Sequence, residues 1–308
     1  MYISEHAVRA VLTYEALLPA IRQALMDYSA GLVNQPPRTI LRAGNAESAN
    51  NGWFAVMPVV AGDMMGVKTV TFFPGNVELG LPTHMAMIEL LRRQTGEPLA
   101  LMDGTLITEM RTAAVSAVAF SALAPLHFAA APTSFGILGS GVQAHAHIQA
   151  LRLVWPGLSD IRIWSRTPAN AERLAAKTGA RAVTAEEAAA ADVVLTATSS
   201  AEPVLHGRWL AANALVLAVG ATGNTLRELD DEAMLTSFVV ADSRSAVERE
   251  SGDVRLSGAR VGAEIGEVLA GSGAIPRDRR VVFKSVGLAI EDLTAARLVW
   301  QAHAAAAS

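Results

Sequence analysis

The spacing of apolar positions divides the chain into three textures. Residues 13–30 carry apolar side chains at Leu17, Leu18, Ile21 and Leu25, a helical spacing that Thr13 can cap and Gly31 can end. From 38 to 103 the period shortens to apolar runs broken by Asn51-Gly52, Pro74-Gly75-Asn76, Thr95-Gly96-Glu97-Pro98 and Asp103-Gly104, which predicts an antiparallel sheet with hairpins. Thr108 is expected to cap a second long helix running to about Ala124, before a boundary marked by Pro125 and Pro132. Beyond it, short buried strands at 134–138, 160–164, 192–196, 214–219, 238–241 and 281–284 alternate with helices, including one at 142–154 and one starting near Pro168. Strands of this kind, apolar throughout and separated by helices, predict a parallel sheet covered on both faces. A last helix over 288–305 follows the sixth strand and is expected to return to the first domain, with a frayed alanine-rich tail at 303–308.

Composition narrows the function. Apolar residues make up 51% of the 308 and charged residues 18%, enough to bury a core and too little charge for disorder. The net charge of −4 offers no basic surface for nucleic acid or anionic lipid. With no cysteine, disulfides, thiolate metal sites and thiol nucleophiles are excluded. The N-terminus lacks a basic-then-apolar leader, and no stretch gives ~20 uninterrupted apolar residues, so a cytoplasmic protein without a membrane span is expected. His145 and His147 stand two apart, a spacing that suits a strand, with no carboxylate nearby, and no metal site is expected.

The strongest chemical signal is Gly136-Ile137-Leu138-Gly139-Ser140-Gly141-Val142-Gln143-Ala144, a G-x-G-x-x-A turn between an apolar strand and an amphipathic helix. Gly139 permits the tight turn, Gly141 lets backbone approach a pyrophosphate, Ala144 lets helix and strand pack closely, and the helix N-terminus offers N–H groups to phosphate. Ser140, Val142 and Gln143 complete this loop. Sites that select NAD usually end the second strand on an acid that takes the ribose 2′-hydroxyl. Here that strand ends Trp164-Ser165-Arg166-Thr167. Arg166 can pair with a 2′-phosphate or stack on adenine, and Ser165 and Thr167 can donate hydrogen bonds, which favours NADP(H) with NAD(H) possible; Arg166 can equally be a solvated loop cation.

Together with Gly66-Val67-Lys68-Thr69-Val70, the segment from Met102-Asp103-Gly104 through Arg111-Thr112-Ala113-Ala114, and Phe283-Lys284-Ser285-Val286-Gly287-Leu288-Ala289-Ile290-Glu291-Asp292, the glycine loop makes the chain resemble the ornithine cyclodeaminase/mu-crystallin family over nearly its whole length. The resemblance implies an α/β fold, a Rossmann doubly wound parallel sheet (116–287) inserted in an α+β substrate-binding and dimerisation domain (1–115 with 288–308), and a homodimer built through the first domain's sheet. It implies further cofactor contacts at Thr112, Thr198, Val219, Gly220, Ser285, Val286 and Gly287. It also implies that Lys68, Arg111 and Arg38 hold the carboxylate of an amino or imino acid. His84, in Pro82-Thr83-His84-Met85, is a candidate proton donor, against the reading of a lone histidine as structural. On residues alone, Lys68 reads as an outward-facing strand lysine and Arg111 as a surface partner of Glu109 or Asp103. Arg111 is also placed against the dipole of the helix expected to start at Thr108.

The departures from the family pattern matter as much. The cyclodeaminase branch carries carboxylates where this chain has Ala55, before Met57-Pro58, and Thr222, after Val219-Gly220. Neither can pair with an ornithine ammonium. The pattern is closer to the mu-crystallin and cyclic ketimine reductase branch, implying NAD(P)H-dependent reduction of Δ1-pyrroline-2-carboxylate or Δ1-piperideine-2-carboxylate to proline or pipecolate. Ornithine cyclodeamination, amino-acid dehydrogenation and a cofactor-linked binding protein are the other readings.

Overall fold

The computed structural model describes residues 1–44 and 51–307. The chain divides into two compact units, Met1–Arg111 with Leu288–Ser308, and Thr112–Gly287. The break falls at 111/112, against 115/116 expected from the sequence, inside the helix Thr105–His127.

Among the described residues, the first unit holds a six-stranded sheet of β1 (Tyr2–Ile3), β2 (Thr39–Arg42), β3 (Trp53–Ala61), β4 (Met64–Phe72), β5 (His84–Arg92) and β6 (Pro98–Asp103). Strands β2 to β6 form an antiparallel meander, and β1 adds parallel to β6 at the edge. Paired residues share a face. Ala55, Met57 and Val59 therefore line one side with Gly66, Lys68 and Val70, then Ala86, Ile88 and Leu90, all buried. The helix Ala289–Ala307 lies across β3, β4 and β5 on the core side and packs along the helix Tyr14–Ser29. The expected first helix is there, capped by Thr13, whose hydroxyl accepts from the Ala16 amide. The opposite face carries Val56, Pro58, Val67, Met85, Met87 and Leu101, half-buried or exposed.

The second unit is a parallel sheet in the order β13-β12-β14-β11-β10-β7-β8-β9. Its strands are β7 (Ser134–Leu138), β8 (Asp160–Trp164), β9 (Arg181–Ala182), β10 (Val193–Thr196), β11 (Leu215–Ala218), β12 (Phe238–Ala241), β13 (Val261–Glu264) and β14 (Val281–Lys284). The chain leaves β7 in one direction through β8 and β9 and returns on its other side at β10. That reversal marks the switch point of a doubly wound Rossmann sheet, where ligands bind beyond the strands' C-terminal ends. The sequence predicts six strands here, and the structure adds β9 and β13. Both are edge strands: β9 is two exposed residues, and β13 carries Gly262 and Glu264, so neither has the apolar run of the interior strands.

Several other expectations are corrected. The long helix starts at Thr105, whose amide donates to Asp103 Oδ1 at 2.8 Å, and it carries Pro125 in its last turn before ending at His127. His127 anchors that end, its ring nitrogens 3.0 Å from the Pro276 carbonyl and 2.8 Å from the Asn213 carbonyl. This helix is long and apolar enough to cross a bilayer by length and composition, which a count of uninterrupted apolar residues overlooks; most of it is buried within the fold, as in a core helix. The helix expected at 142–154 is there and carries His145 and His147. The tail continues the last helix to Ala307, and Ser308 lies outside the described residues. A helix Glu5–Val11, capped by Ser4, was not anticipated.

Candidate active site

Lys68 sits at a core position of β4, on the buried side of the strand between Gly66 and Val70. Its register neighbours are Met57 on β3 and Ile88 on β5, and Ile88 in turn faces Met102 on β6, so the row is otherwise apolar. An ammonium there costs several kcal/mol unless it is paired. The partner is Asp292, whose Oδ2 lies 2.6 Å from Lys68 Nζ. Its other oxygen, Oδ1, accepts from Arg111 Nε at 3.0 Å, and Arg111 Nη1 reaches Glu291 Oε2. Lys68, Arg111, Glu291 and Asp292 are all buried. Burial pushes the Lys68 ammonium down to about 8; the Asp292 charge opposes this, and Arg111 and Arg38 add to it.

Both surface alternatives are thus overturned. Lys68 points inward, and Arg111 pairs with Glu291 and Asp292 rather than through a surface bridge to Glu109 or Asp103. Because the helix begins at Thr105, Arg111 lies in its second turn, beyond the terminal region where the dipole acts most strongly. The two carboxylates occupy the first turn of Ala289–Ala307, the favourable end for anions. From the sequence Glu291 and Asp292 carry no assigned role, and two adjacent acids at the start of an apolar helix are the signal that points to them. The Ile290 amide donates to Gln35 Oε1 at 3.0 Å, tying this helix start to the segment that leads to Arg38. Arg38 is half-buried and close enough for its charge to act on Lys68.

His84 pairs in register with Phe72 on the same sheet face as Lys68, their rings 4.5 Å apart. Desolvation and the Lys68 charge hold its imidazole below the usual histidine value, although the residue is exposed overall. Ala55 lies on this face too, opposite Val70 and 1% exposed, so a carboxylate at 55 would project onto the side that bears Lys68. Thr222 is an exposed residue of the second unit.

In that unit the glycine loop has the features a dinucleotide requires. Gly139 adopts φ +134°, and a Cβ there would meet the Ala197 carbonyl oxygen at 2.5 Å. At Gly141 a Cβ would meet nothing within 4 Å, so the approach to the loop is open. The helix Val142–Val154 begins without a side-chain cap, leaving its first N–H groups for another acceptor, and the buried Gln143 Oε1 has no partner. Val142 is exposed beside the loop. Ser140 Oγ donates to Ser165 Oγ at 2.8 Å, joining the loop to the end of β8. Arg166 and Thr167 follow there, both exposed. His147 is structural: its Nε2 lies 2.9 Å from Ser116 Oγ, its Nδ1 2.7 Å from the Gln143 carbonyl, and burial pushes it down to about 4. Among the described residues no cluster of three or more metal-ligating side chains is present.

The remaining predicted cofactor residues lie at or beyond strand ends, except Thr112 on the long helix. Two buried carboxylates that the sequence did not reveal hold them. Glu228 accepts from the Thr198 amide and hydroxyl and from the Gly220 amide. Val219, between β11 and Gly220, is buried and donates to the Thr196 carbonyl. Asp242 accepts from the Ser285 hydroxyl and the amides of Val286 and Gly287, each at 2.8 Å, so these three donors already have an acceptor within the protein.

The shared carboxylate makes a direct stability prediction. Asp292→Asn keeps the shape but removes the charge that neutralises Lys68 and Arg111. Breaking a buried pair in this way is expected to cost about 3–5 kcal/mol. Urea denaturation checks it, and an unchanged midpoint would show that Asp292 does not carry these cations.

The family model for the ornithine cyclodeaminase/mu-crystallin family matches residues 1–306. The ketimine reductase mu-crystallin of Mus musculus is 40% identical over 295 residues, covering 92% of this chain and 91% of the relative. Thermococcus litoralis Δ1-pyrroline-2-carboxylate reductase, solved with NADH and L-proline, superposes with a TM-score of 0.91 at 32% identity, covering 100% of this chain and 98% of that one. An archaeal alanine dehydrogenase dimer with bound NAD also gives 0.91, at 29% identity over 100% and 97% of the two chains. With a Rossmann sheet inserted between the two parts of a unit that buries Lys68 and Arg111 around one carboxylate, and with this match along almost the entire sequence, the chain belongs to the ornithine cyclodeaminase/mu-crystallin family.

Proposed function

We propose that the protein is an NADPH-dependent reductase of small cyclic imino acids, Δ1-pyrroline-2-carboxylate or Δ1-piperideine-2-carboxylate, yielding proline or pipecolate. The observation that carries this reading is the convergence of Lys68 and Arg111 on Asp292 at an otherwise apolar row of the sheet, with Arg38 nearby. Asp292 and Glu291 hold Lys68 and Arg111 in place. With Arg38 the three cations formally exceed the two carboxylates by one positive charge, which a substrate carboxylate can balance, while a guanidinium orients its planar group. The reductase names of the mouse and Thermococcus relatives support the same substrate class.

The residues of the second unit that would hold the dinucleotide are Gly139, Ser140, Gly141 and Gln143 at the phosphates and Ser165, Arg166 and Thr167 at the adenosine end. Bound NADPH supplies hydride for the imine carbon. Lys68, Arg111 and Arg38 hold the carboxylate, so the chain's contribution is chiefly orientation. The substrate enters as its iminium, which already carries the nitrogen proton. The depressed His84 therefore need not act as a strong acid. Ala55 offers no carboxylate for a second ammonium, which disfavours ornithine. A reductase drawing on NADPH fits the cytoplasmic setting expected from the sequence.

Wild-type protein is expected to oxidise NADPH in the presence of a five- or six-membered cyclic imino acid and to cyclodeaminate ornithine at least ~100-fold more slowly, each tenfold corresponding to about 1.4 kcal/mol. A spectrophotometric screen decides this, and efficient conversion of ornithine to proline and ammonia with NADPH untouched would overturn the reading.

Selection of NADPH rests on Arg166, exposed and without a neighbouring acid at the end of β8. Arg166→Ala is expected to weaken NADPH binding by roughly 1.5–3 kcal/mol, the scale of a hydrogen bond to a charged group, and to leave NADH almost unchanged. Fluorescence titration reads both, and wild-type affinity for NADH equal to that for NADPH would remove the basis of the preference.

The outer sheet face carries Val56, Val67, Met85, Met87 and Leu101 among Thr69, Thr71 and Glu89, no element among the described residues of its unit is seen to cover it, and the archaeal alanine dehydrogenase neighbour is a dimer. We expect a homodimer through this face; a monomeric mass by light scattering at micromolar protein would exclude it.

A further inference from the structure

We propose that Glu228 is a positioning residue that sets the cofactor-binding end of the second unit, holding the loops after β10 and β11 in one fixed register. The proposal rests on the dinucleotide reading of that unit.

Glu228 is fully buried, and its two carboxylate oxygens take five donors. Oε1 accepts from the Thr198 amide at 2.6 Å and the Thr198 hydroxyl at 2.8 Å. Oε2 accepts from the Thr196 hydroxyl at 3.0 Å, the Gly220 amide at 2.8 Å and the Ala221 amide at 3.1 Å. Thr196 ends β10 with Thr198 just beyond it, and Gly220 and Ala221 lie just beyond β11, so one side chain joins two adjacent strand ends. The two segments pass so closely that a Cβ at Gly220 would stand 2.3 Å from both Thr198 N and Thr198 O and 2.5 Å from Glu228 Oε1. The three backbone N–H groups can only donate, and an amide at 228 would turn a hydrogen toward one of them. Burial pushes the Glu228 carboxyl up, and the Lys284 charge and the Thr198 hydrogen bonds oppose that and favour the carboxylate.

The carboxylate is itself held by a closed circuit. Asp253 accepts from the Glu228 amide at 2.7 Å and the Leu229 amide at 3.0 Å, and lies 2.8 Å from Lys284 Nζ. Lys284 in turn donates to the Ala221 carbonyl, the residue whose amide reaches Glu228. Asp253 and Lys284 are as buried as Glu228. The circuit closes on the C-terminal edge of the sheet, the edge at which open α/β sheets bind ligands. A carboxylate of similar design, Asp192, accepts from the amides and hydroxyls of Thr133 and Ser134 at the opposite edge, where β7 and β10 begin. Asp192 thus supplies an internal control: comparable hydrogen bonding, away from the ligand-binding edge.

The experiment compares Glu228→Gln, Thr196→Val and Asp192→Asn by NADPH fluorescence titration and by hydrogen exchange of the ligand-free proteins. Glu228→Gln is expected to raise the Kd for NADPH at least about tenfold and to speed amide exchange at Thr198, Gly220 and Ala221. Thr196→Val, which removes one of the five donors and leaves the carboxylate and its other four partners in place, is expected to raise it by less, about threefold. Asp192→Asn is expected to speed exchange at Thr133 and Ser134 while leaving Kd within about twofold. A merely structural Glu228 would lower stability as Asp192→Asn does and leave Kd unchanged, and that result overturns the proposal. If Glu228→Gln fails to fold, Thr196→Val decides by the same criterion. Wild-type protein that binds neither NADPH nor NADH overturns the dinucleotide reading instead, and this proposal with it.

Discussion

One carboxylate organises the first unit. Asp292 offers an oxygen to Lys68 on a sheet strand and another to Arg111 on a helix, and it stands in the first turn of a third element, the helix that covers the sheet. Three elements are thereby joined at a point inside a layer that is otherwise apolar. Such an arrangement gains little stability over a hydrophobic one, because each ion is desolvated, and losing one member is far costlier than replacing the whole set. What it provides is definition: the ammonium and guanidinium have one place to be.

The second unit repeats this use of buried acids, with mostly backbone and hydroxyl partners and one buried cation, Lys284, beside Asp253. Glu228 and Asp242 gather amides and hydroxyls from the segments that follow the strands, and Asp253 anchors Glu228 through its own amide. Segments after parallel strands have no ladder to satisfy their N–H groups, and a buried carboxylate satisfies several at once. In both units the buried acids therefore sit where chain segments meet, and one interior strand of each contributes a buried lysine, Lys68 on β4 and Lys284 at the end of β14.

The difference between what was legible in the sequence and what was not follows from range. The Rossmann turn is local: Gly139, Gly141 and Ala144 carry its geometry within six residues, so strand, loop and helix were readable together. The antiparallel meander was readable from its turn dipeptides. The helix start was misplaced because Thr108 has the chemistry of a cap, whereas Asp103 supplies the first acceptor from outside. The short edge strands β9 and β13 have no apolar run to betray them. Glu228 lies in a polar stretch, Asn224 to Asp231, that has the look of solvated surface, and only the fold turns it inward. The partner of Lys68 was unreadable for the same reason: nothing in the texture of β4 names a residue near the other end of the chain.

That separation has a consequence for how the molecule is made. Arg111 and its partner Asp292 are 181 positions apart, and the whole nucleotide-binding unit lies between them. During synthesis the sheet bearing Lys68 emerges first, with its covering helix and both acids still untranslated. The inserted unit has its own core and all its strands in hand before the last helix is complete. Biogenesis is therefore ordered: the middle of the chain can finish folding while the first-made part waits, its ammonium solvated and its inner sheet face bare, and that interval is when the nascent protein is most exposed to aggregation.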